Sequence, residues 1–275
     1  MDKQQDVVAI LGCGVLGSIM AQGLNAPEAR QSYRVVATCR SPERAEALSR
    51  SLGITCLADN RKAVEQADAV VLAVRPQSMG EILREIAPSL KPGALCMTIA
   101  AGLALRFYEE LLPDHVSVIR AHPSPMMSVQ RGCIALSRGE RASDDDVKKA
   151  ERLFALFSEE TMLLPERDIN LFAAMFGSSS ALLYLFVDAI LAAEEEKGQS
   201  TFSSKQVVAA MLDGASHMLL KSGKSPRALS EEICTPNGMT IAGVQVWEKK
   251  HVSETINLAM QAVLNRVKEM AATIK

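Results

Sequence analysis

The residues with the plainest chemical potential are Gly12-Cys13-Gly14-Val15-Leu16-Gly17, which follow directly on Val7-Val8-Ala9-Ile10-Leu11. An unbroken β-prone apolar run is what a parallel strand buried on both faces requires. Gly12 permits a sharp turn, Gly14 lets the backbone approach a pyrophosphate with no Cβ in the way, and Gly17 lets the next helix pack closely. Leu16, Ile19, Met20, Gly23 and Leu24 then recur at helical spacing. The free N–H groups and positive dipole end of that helix would face an anion held in the turn. Strand before and helix after are the context in which spaced glycines read as a dinucleotide site rather than an ordinary turn.

A second chemical signal lies at the end of the next strand, Tyr33 to Cys39, where Thr38-Cys39-Arg40 offers no carboxylate for ribose hydroxyls. Arg40, Ser41 and Arg44 instead suit the extra phosphate of NADP, so NADPH is the expected cofactor, with NADH also admitted. The competing reading makes them solvated residues at a helix start, Ser41 as cap and Pro42 at the first helical position. Farther on, Ala121-His122-Pro123-Ser124-Pro125 forms a loop at a strand's carboxyl end, the edge where open α/β sheets bind ligands. His122 could touch a substrate there as a general acid, or be an incidental polar residue. Thr235-Pro236-Asn237-Gly238-Met239-Thr240 is a turn emptying into a helix, either an anion site made of unpaired N–H groups or a plain connection.

The elements that must position these groups alternate at first. Asn60 opens a short helix, Asp68 to Val74 and Ala94 to Ile99 read as buried strands, and Ser117 to Arg120 as another. From Ser143 onward helices are expected to take over, with apolar stripes at Val147 to Phe157, Val207 to Leu219 and Ile256 to Met270. The fold class is therefore an α/β Rossmann domain followed by an all-α domain, with the boundary near Leu164-Pro165: 1–164 binds the dinucleotide and 165–275 is helical.

Thirty Lys+Arg against 32 Asp+Glu leave no basic field for nucleic acid. The six cysteines are scattered, with no metal-ligand spacing, and read as thiols in a reducing cytosol. Met1 to Asp6 is polar and too short for a signal peptide, so a cytoplasmic protein is expected. Leu171 to Ala193 is apolar enough to span a bilayer but lacks basic flanks, with Glu166 and Asp168 before it and Glu194-Glu195-Glu196 after it. It is read as the buried centre of a large helical domain or dimer rather than a membrane segment.

Taken together the motifs resemble the pyrroline-5-carboxylate reductase family along nearly the whole chain. The resemblance rests on the glycine loop, Val74-Arg75-Pro76-Gln77, Ile99-Ala100-Ala101-Gly102, and Pro236-x-Gly238-x-Thr240-Ile241-Ala242-Gly243 followed by Glu248. It implies reduction of a cyclic imine acid, most simply 1-pyrroline-5-carboxylate to L-proline in proline biosynthesis, and a helical domain that forms a homodimer or a higher oligomer of dimers. It also implies that Thr240 sits beside the imine nitrogen, that Thr235, Pro236, Asn237, Gly238 and Met239 hold the carboxylate, and that Glu166 is an acidic residue of the substrate site. The candidate cofactor set is Gly12, Cys13, Gly14, Val15, Leu16, Gly17, Arg40, Ser41, Arg44, Asn60, Val74, Arg75, Pro76, Ala100, Ala101 and Gly102. No metal is expected. The chain departs from the family pattern at His122 to Met126, at Ser178 to Leu182, and at Asn237 and Met239. A paralogue acting on another imine acid, or a weakly active NADP-binding regulator, therefore stays open. A β-hydroxyacid dehydrogenase would want a lysine between Asp168 and Glu196, where there is none.

Overall fold

The computed structural model describes residues 5–196 and 204–273, so most of the polar start Met1 to Asp6 lies outside it. The first half alternates strand and helix: β1 (Asp6–Leu11), α1 (Val15–Leu24), β2 (Tyr33–Thr38), α2 (Pro42–Leu52), β3 (Thr55–Leu57), α3 (Asn60–Val64), β4 (Ala69–Leu72), α4 (Pro76–Ile86), β5 (Leu95–Thr98), α5 (Leu105–Leu111) and β6 (Ser117–His122). Then come β7 (Cys133–Arg138), α6 (Asp144–Phe154), β8 (Glu160–Leu163) and α7 (Glu166–Phe172). The strands form one sheet in the order β3-β2-β1-β4-β5-β6-β7-β8. All neighbours are parallel except β6 with β7. The order reverses between β1 and β4, and that switch point opens a crevice at the strands' carboxyl ends.

β1 sits at the centre for the reason its composition suggests. Val8 and Ile10 point into one core layer with Met20, Leu24, Phe154 and Phe157, while Ala9 and Leu11 point into the other with Met79, Leu83 and Tyr108. All four β1 residues are fully buried, so both faces of the strand are covered by helices.

The expectation that helices take over from Ser143 is corrected by β8, which pairs in parallel with β7. β8 is a four-residue edge strand with most of its side chains outward, so it carries no alternating apolar signal. The polar run at Ser143 is instead a helix start: the Ser143 hydroxyl accepts from the Asp146 N–H, and the Asp146 carboxylate accepts from the Ser143 N–H.

By compactness the chain divides into two units, one running through Gly177 and resuming at Leu264, the other Ser178–Val263. The expected boundary at Leu164-Pro165 falls between β8 and α7, inside the first unit. The apolar run Leu171 to Ala193 is not one regular helix, because a π-helical turn, Ala173–Gly177, separates α7 from α8 (Ser179–Glu195). The second unit contains α8, α9 (Ser204–Lys221), α10 (Pro226–Ile233), α11 (Met239–Lys249) and the start of α12 (Val252–Thr273). Inside it Phe186 meets Trp247 edge to face at 6.3 Å, and Arg227 bridges Glu231 and Glu248 at 2.9 and 3.2 Å. These groups remain exposed, and of the unit's described residues Ser180, Val208 and Met260 are the buried ones. Leu185, Leu220 and Leu258 are 63, 83 and 72 % exposed in the single chain.

Candidate functional site

At the switch point the backbone of the glycine loop is dictated by contacts only glycine tolerates. Gly12 has φ +95°, and a Cβ there would lie 2.8 Å from the Val74 side chain and 2.9 Å from the Ala73 carbonyl oxygen. A Cβ on Gly17 would lie 2.1 Å from the Gly12 carbonyl oxygen, so the first turn of α1 closes directly onto the loop. Thr38 anchors the loop from β2: its hydroxyl accepts from the Gly12 N–H at 3.4 Å and its carbonyl accepts from the Cys13 N–H at 3.0 Å. Gly14, the N-cap of α1, has no side chain to cap the helix, and nothing stands within 4 Å of where its Cβ would be. The first N–H groups of α1 thus open onto space that suits an anion.

That space is a cleft of about 480 Å³. Gly12, Cys13, Gly14, Arg40, Arg44, Asn60, Val74 and Arg75 of the candidate cofactor set line it. Arg44 donates to the Cys13 carbonyl at 3.3 Å, tying α2 to the glycine loop. Three guanidinium groups around unpaired helix N–H groups fit a dinucleotide bearing several phosphates. Ser41 stands outside the wall, its hydroxyl accepting from the Arg44 N–H as the cap of α2. Val15 points outward, Leu16 packs on the core, and Gly17 is buried beneath the loop. Pro76 begins α4, and Ala100, Ala101 and Gly102 follow β5, with Gly102 at φ +85°. The composition of the β2 end gives no hint of one further wall residue, Glu85 on α4, a carboxylate within the cleft. Its oxygen accepts from the Asn60 amide at 3.0 Å. Only the packing of α4 on α3 brings it there.

Farther along the same edge, Arg120 on β6 is buried and donates to Asn170 Oδ1 at 2.5 Å, with Glu166 Oε1 at 3.8 Å. Glu166 in turn accepts from the Leu105 N–H at 2.6 Å, capping α5, whose own N-cap Ala104 has no side-chain acceptor. In this unit Glu166 ties α5 and β6 to α7. His122 ends β6 with its ring edge-on to Phe172 at 6.4 Å. Burial, reinforced by the Arg120 charge, pulls its pKa down to about 4. The lowered pKa keeps the imidazole neutral near pH 7 and works against a role as general acid.

The turn from Thr235 to Thr240 lies in the second unit. Asn237 adopts φ +60°, a left-handed conformation that asparagine tolerates better than other side-chain-bearing residues, so the backbone shape survives without glycine there. Gly238 is the N-cap of α11, without a side-chain cap bond, and a Cβ on it would lie 2.3 Å from the Thr235 hydroxyl. Thr240 therefore stands in the first turn of α11 and is not its cap. Met239 is 95 % exposed and does not crowd the turn from within. Among the described residues no group of three or more His, Cys, Asp or Glu could hold a metal ion.

Comparison with known proteins decides the family. Residues 166–270 match the profile described as pyrroline-5-carboxylate reductase dimerisation, and residues 7–102 match that of NADP oxidoreductase, coenzyme F420-dependent. Pyrroline-5-carboxylate reductase 3 of Xenopus laevis is 30 % identical over 257 residues, covering 94 % of this chain and 91 % of its own. The chain belongs to the pyrroline-5-carboxylate reductase family. These are NAD(P)H-dependent oxidoreductases acting on a C=N bond. The reductase of Corynebacterium melassecola is 29 % identical over 96 % of this chain and 98 % of its own. Among solved structures, a pyrroline-5-carboxylate reductase from Coxiella burnetii matches with a TM-score of 0.84 at 25 % identity, covering 98 % of this chain and 99 % of its own. The Plasmodium falciparum pyrroline carboxylate reductase, determined with NADP bound, shares the fold at a TM-score of 0.85 and 22 % identity, over 98 % of this chain and 99 % of its own. The first half is the Rossmann part of this family's fold, and the helical second half carries its dimerisation region.

Proposed function

We propose that this chain reduces 1-pyrroline-5-carboxylate to L-proline with NADPH, as the last step of proline biosynthesis in the cytoplasm, working as a homodimer. The single observation that carries the cofactor half is the cleft over the glycine loop, where Arg40, Arg44 and Arg75 surround the open N-terminus of α1. When bound there, the nicotinamide supplies the hydride. The protein's part is to bind and orient. The α1 N–H groups take the pyrophosphate, while Arg40 and Arg44 take the ribose phosphate by charge-assisted hydrogen bonds. The turn from Thr235 to Met239 presents the uncapped N–H groups of α11 to the substrate carboxylate, and the Thr240 hydroxyl orients the imine nitrogen. Reduction of an imine that is already protonated asks for little acid–base machinery, and alignment alone can supply on the order of 7–11 kcal/mol. The neutral His122 agrees with a site that relies on positioning.

The homodimer rests on α8, α9 and α12, whose exposed leucines, tyrosine and methionines need a partner. Glu166–Glu195 also holds an 18-residue window, of mean hydropathy 1.6, long and apolar enough to cross a membrane. A match of residues 166–270 to a dimerisation domain favours a protein partner over lipid.

The test is turnover of 1-pyrroline-5-carboxylate by wild type and Thr240→Val, with NADPH oxidation followed optically. Because Gly238 rather than Thr240 caps α11, the substitution should leave the melting temperature within about 2 °C and NADPH affinity unchanged while turnover falls on the order of a hundredfold. Wild type that binds NADPH but turns over only a different cyclic imine acid would assign the paralogue function instead. Unaltered turnover in Thr240→Val would remove that residue from the site.

A further inference from the structure

The cleft over the glycine loop has one acidic side chain among its walls, and its placement asks for an explanation. Ser78, Ile82 and Glu85 lie at successive helical turns on one face of α4 and line the cleft together, with Arg75 at the head of that helix. Arg40 and Arg44, from the β2–α2 side, line it as well. A carboxylate in a cleft that must attract phosphates is electrostatically costly unless it serves another group. Glu85 serves Asn60. The Asn60 amide donates to Glu85 Oε2 at 3.0 Å, and the first turn of α3 is further tied to α4 by Arg61, which donates to the Glu85 carbonyl at 3.1 Å.

The chemistry of this pair fixes its orientation. An ionised carboxylate only accepts, so the Asn60 atom turned to it must be the NH2 and not the carbonyl. The Asn60 Oδ1 is thereby committed as an acceptor, and no group among the described residues donates to it. Ile82 and Ala58 are apolar residues lining the same cleft. An amide acceptor in a cleft with apolar walls suits the donors of a nucleoside, its base amino group and ribose hydroxyls, and not a phosphate oxygen, which only accepts.

Building on the NADPH reading above, we propose that Glu85 is a positioning residue that locks the Asn60 carboxamide with Oδ1 facing the cleft, where it accepts a hydrogen bond from the adenosine half of the dinucleotide. Glu85 itself does not touch the ligand. The cleft then sorts adenosine by polarity: guanidinium groups take its phosphates, and the Asn60 carbonyl takes its neutral donors.

The experiment measures, by calorimetry on the full-length protein, binding of NADPH and of adenosine 2′,5′-bisphosphate, which lacks the nicotinamide. Glu85→Ala and Asn60→Ala should each weaken both ligands roughly five- to tenfold, the scale of one hydrogen bond. The double variant should be no weaker than the weaker single one, since the two act as a unit. Glu85→Gln keeps an acceptor for the Asn60 amide and should stay within about twofold of wild type. In Glu85→Ala the KM for NADPH should rise in step with the calorimetric loss. Additive losses, unchanged affinity in Glu85→Ala, or a Glu85→Gln variant as weak as Glu85→Ala or tighter than wild type would each overturn the proposal. Wild type that binds neither ligand would instead refute the NADPH reading on which it rests.

Discussion

Replacing His122 by methionine should flatten the acid side of the stability profile. His122 is half-buried at the end of β6, its ring edge-on to Phe172, and so close to the π-helical turn that a Cβ on Gly177 would lie 2.7 Å from Nε2. Burial first, and the neighbouring Arg120 charge second, lower its pKa from 6.5 to about 4. Between those values the unfolded chain holds a proton that the folded chain refuses, so stability rises with pH across that window. The contribution is fully present above about pH 6.5 and is lost as pH falls toward about 4. For a step from about pH 7.5 to 5 the linkage relation gives roughly 2 kcal/mol from this one group. Methionine has similar bulk and no proton to bind, so His122→Met should lose about 2 kcal/mol less than wild type over the same step. Urea unfolding followed by circular dichroism, at one fixed protomer concentration because dimerisation adds to apparent stability, measures both slopes. Equal losses in the two proteins would show that His122 titrates normally and that its neutrality plays no part in how β6 meets α7.

The remaining expectations concern cofactor choice and assembly. Arg40→Asp replaces an attractive charge in the cleft by a repulsive one, and a charge-assisted bond is worth about 1.5–3 kcal/mol. The ratio of kcat/KM for NADPH over NADH should fall at least tenfold, and an unchanged ratio would remove Arg40 from the phosphate pocket. Leu185→Glu places a charge on an α8 position that is 63 % exposed in the single chain, and light scattering at micromolar concentration should shift from dimer toward monomer. A dimer that persists would place the interface elsewhere, and solubility only in detergent would favour the membrane reading of Glu166–Glu195.

What could be read from the residues alone is what depends on neighbours in sequence. Val7 to Leu11 followed by the spaced glycines specifies strand, turn and helix, because burial on both faces and the loss of Cβ atoms act within a few residues. Asn60 opening α3 and Pro42 heading α2 behind Ser41 are likewise local, set by backbone preferences and cap chemistry. The family, and with it the order of a Rossmann part and a helical part, was legible because its motifs keep their order along the chain.

Tertiary structure decided the rest, and the reason is that its partners are distant in sequence. β8 closes the sheet at an edge where its short length and mostly exposed side chains leave no apolar alternation to detect. Glu166 carries a motif position, yet only packing turns its carboxylate to the Leu105 N–H and toward Arg120. His122 could be a general acid by its sequence, and only its packing beside Arg120 lowers its pKa well below the ordinary imidazole value. Glu85 reads as an ordinary helix-surface acid until α4 lies on α3 and brings it to Asn60, because electrostatics and hydrogen bonds act through space across 25 residues of chain.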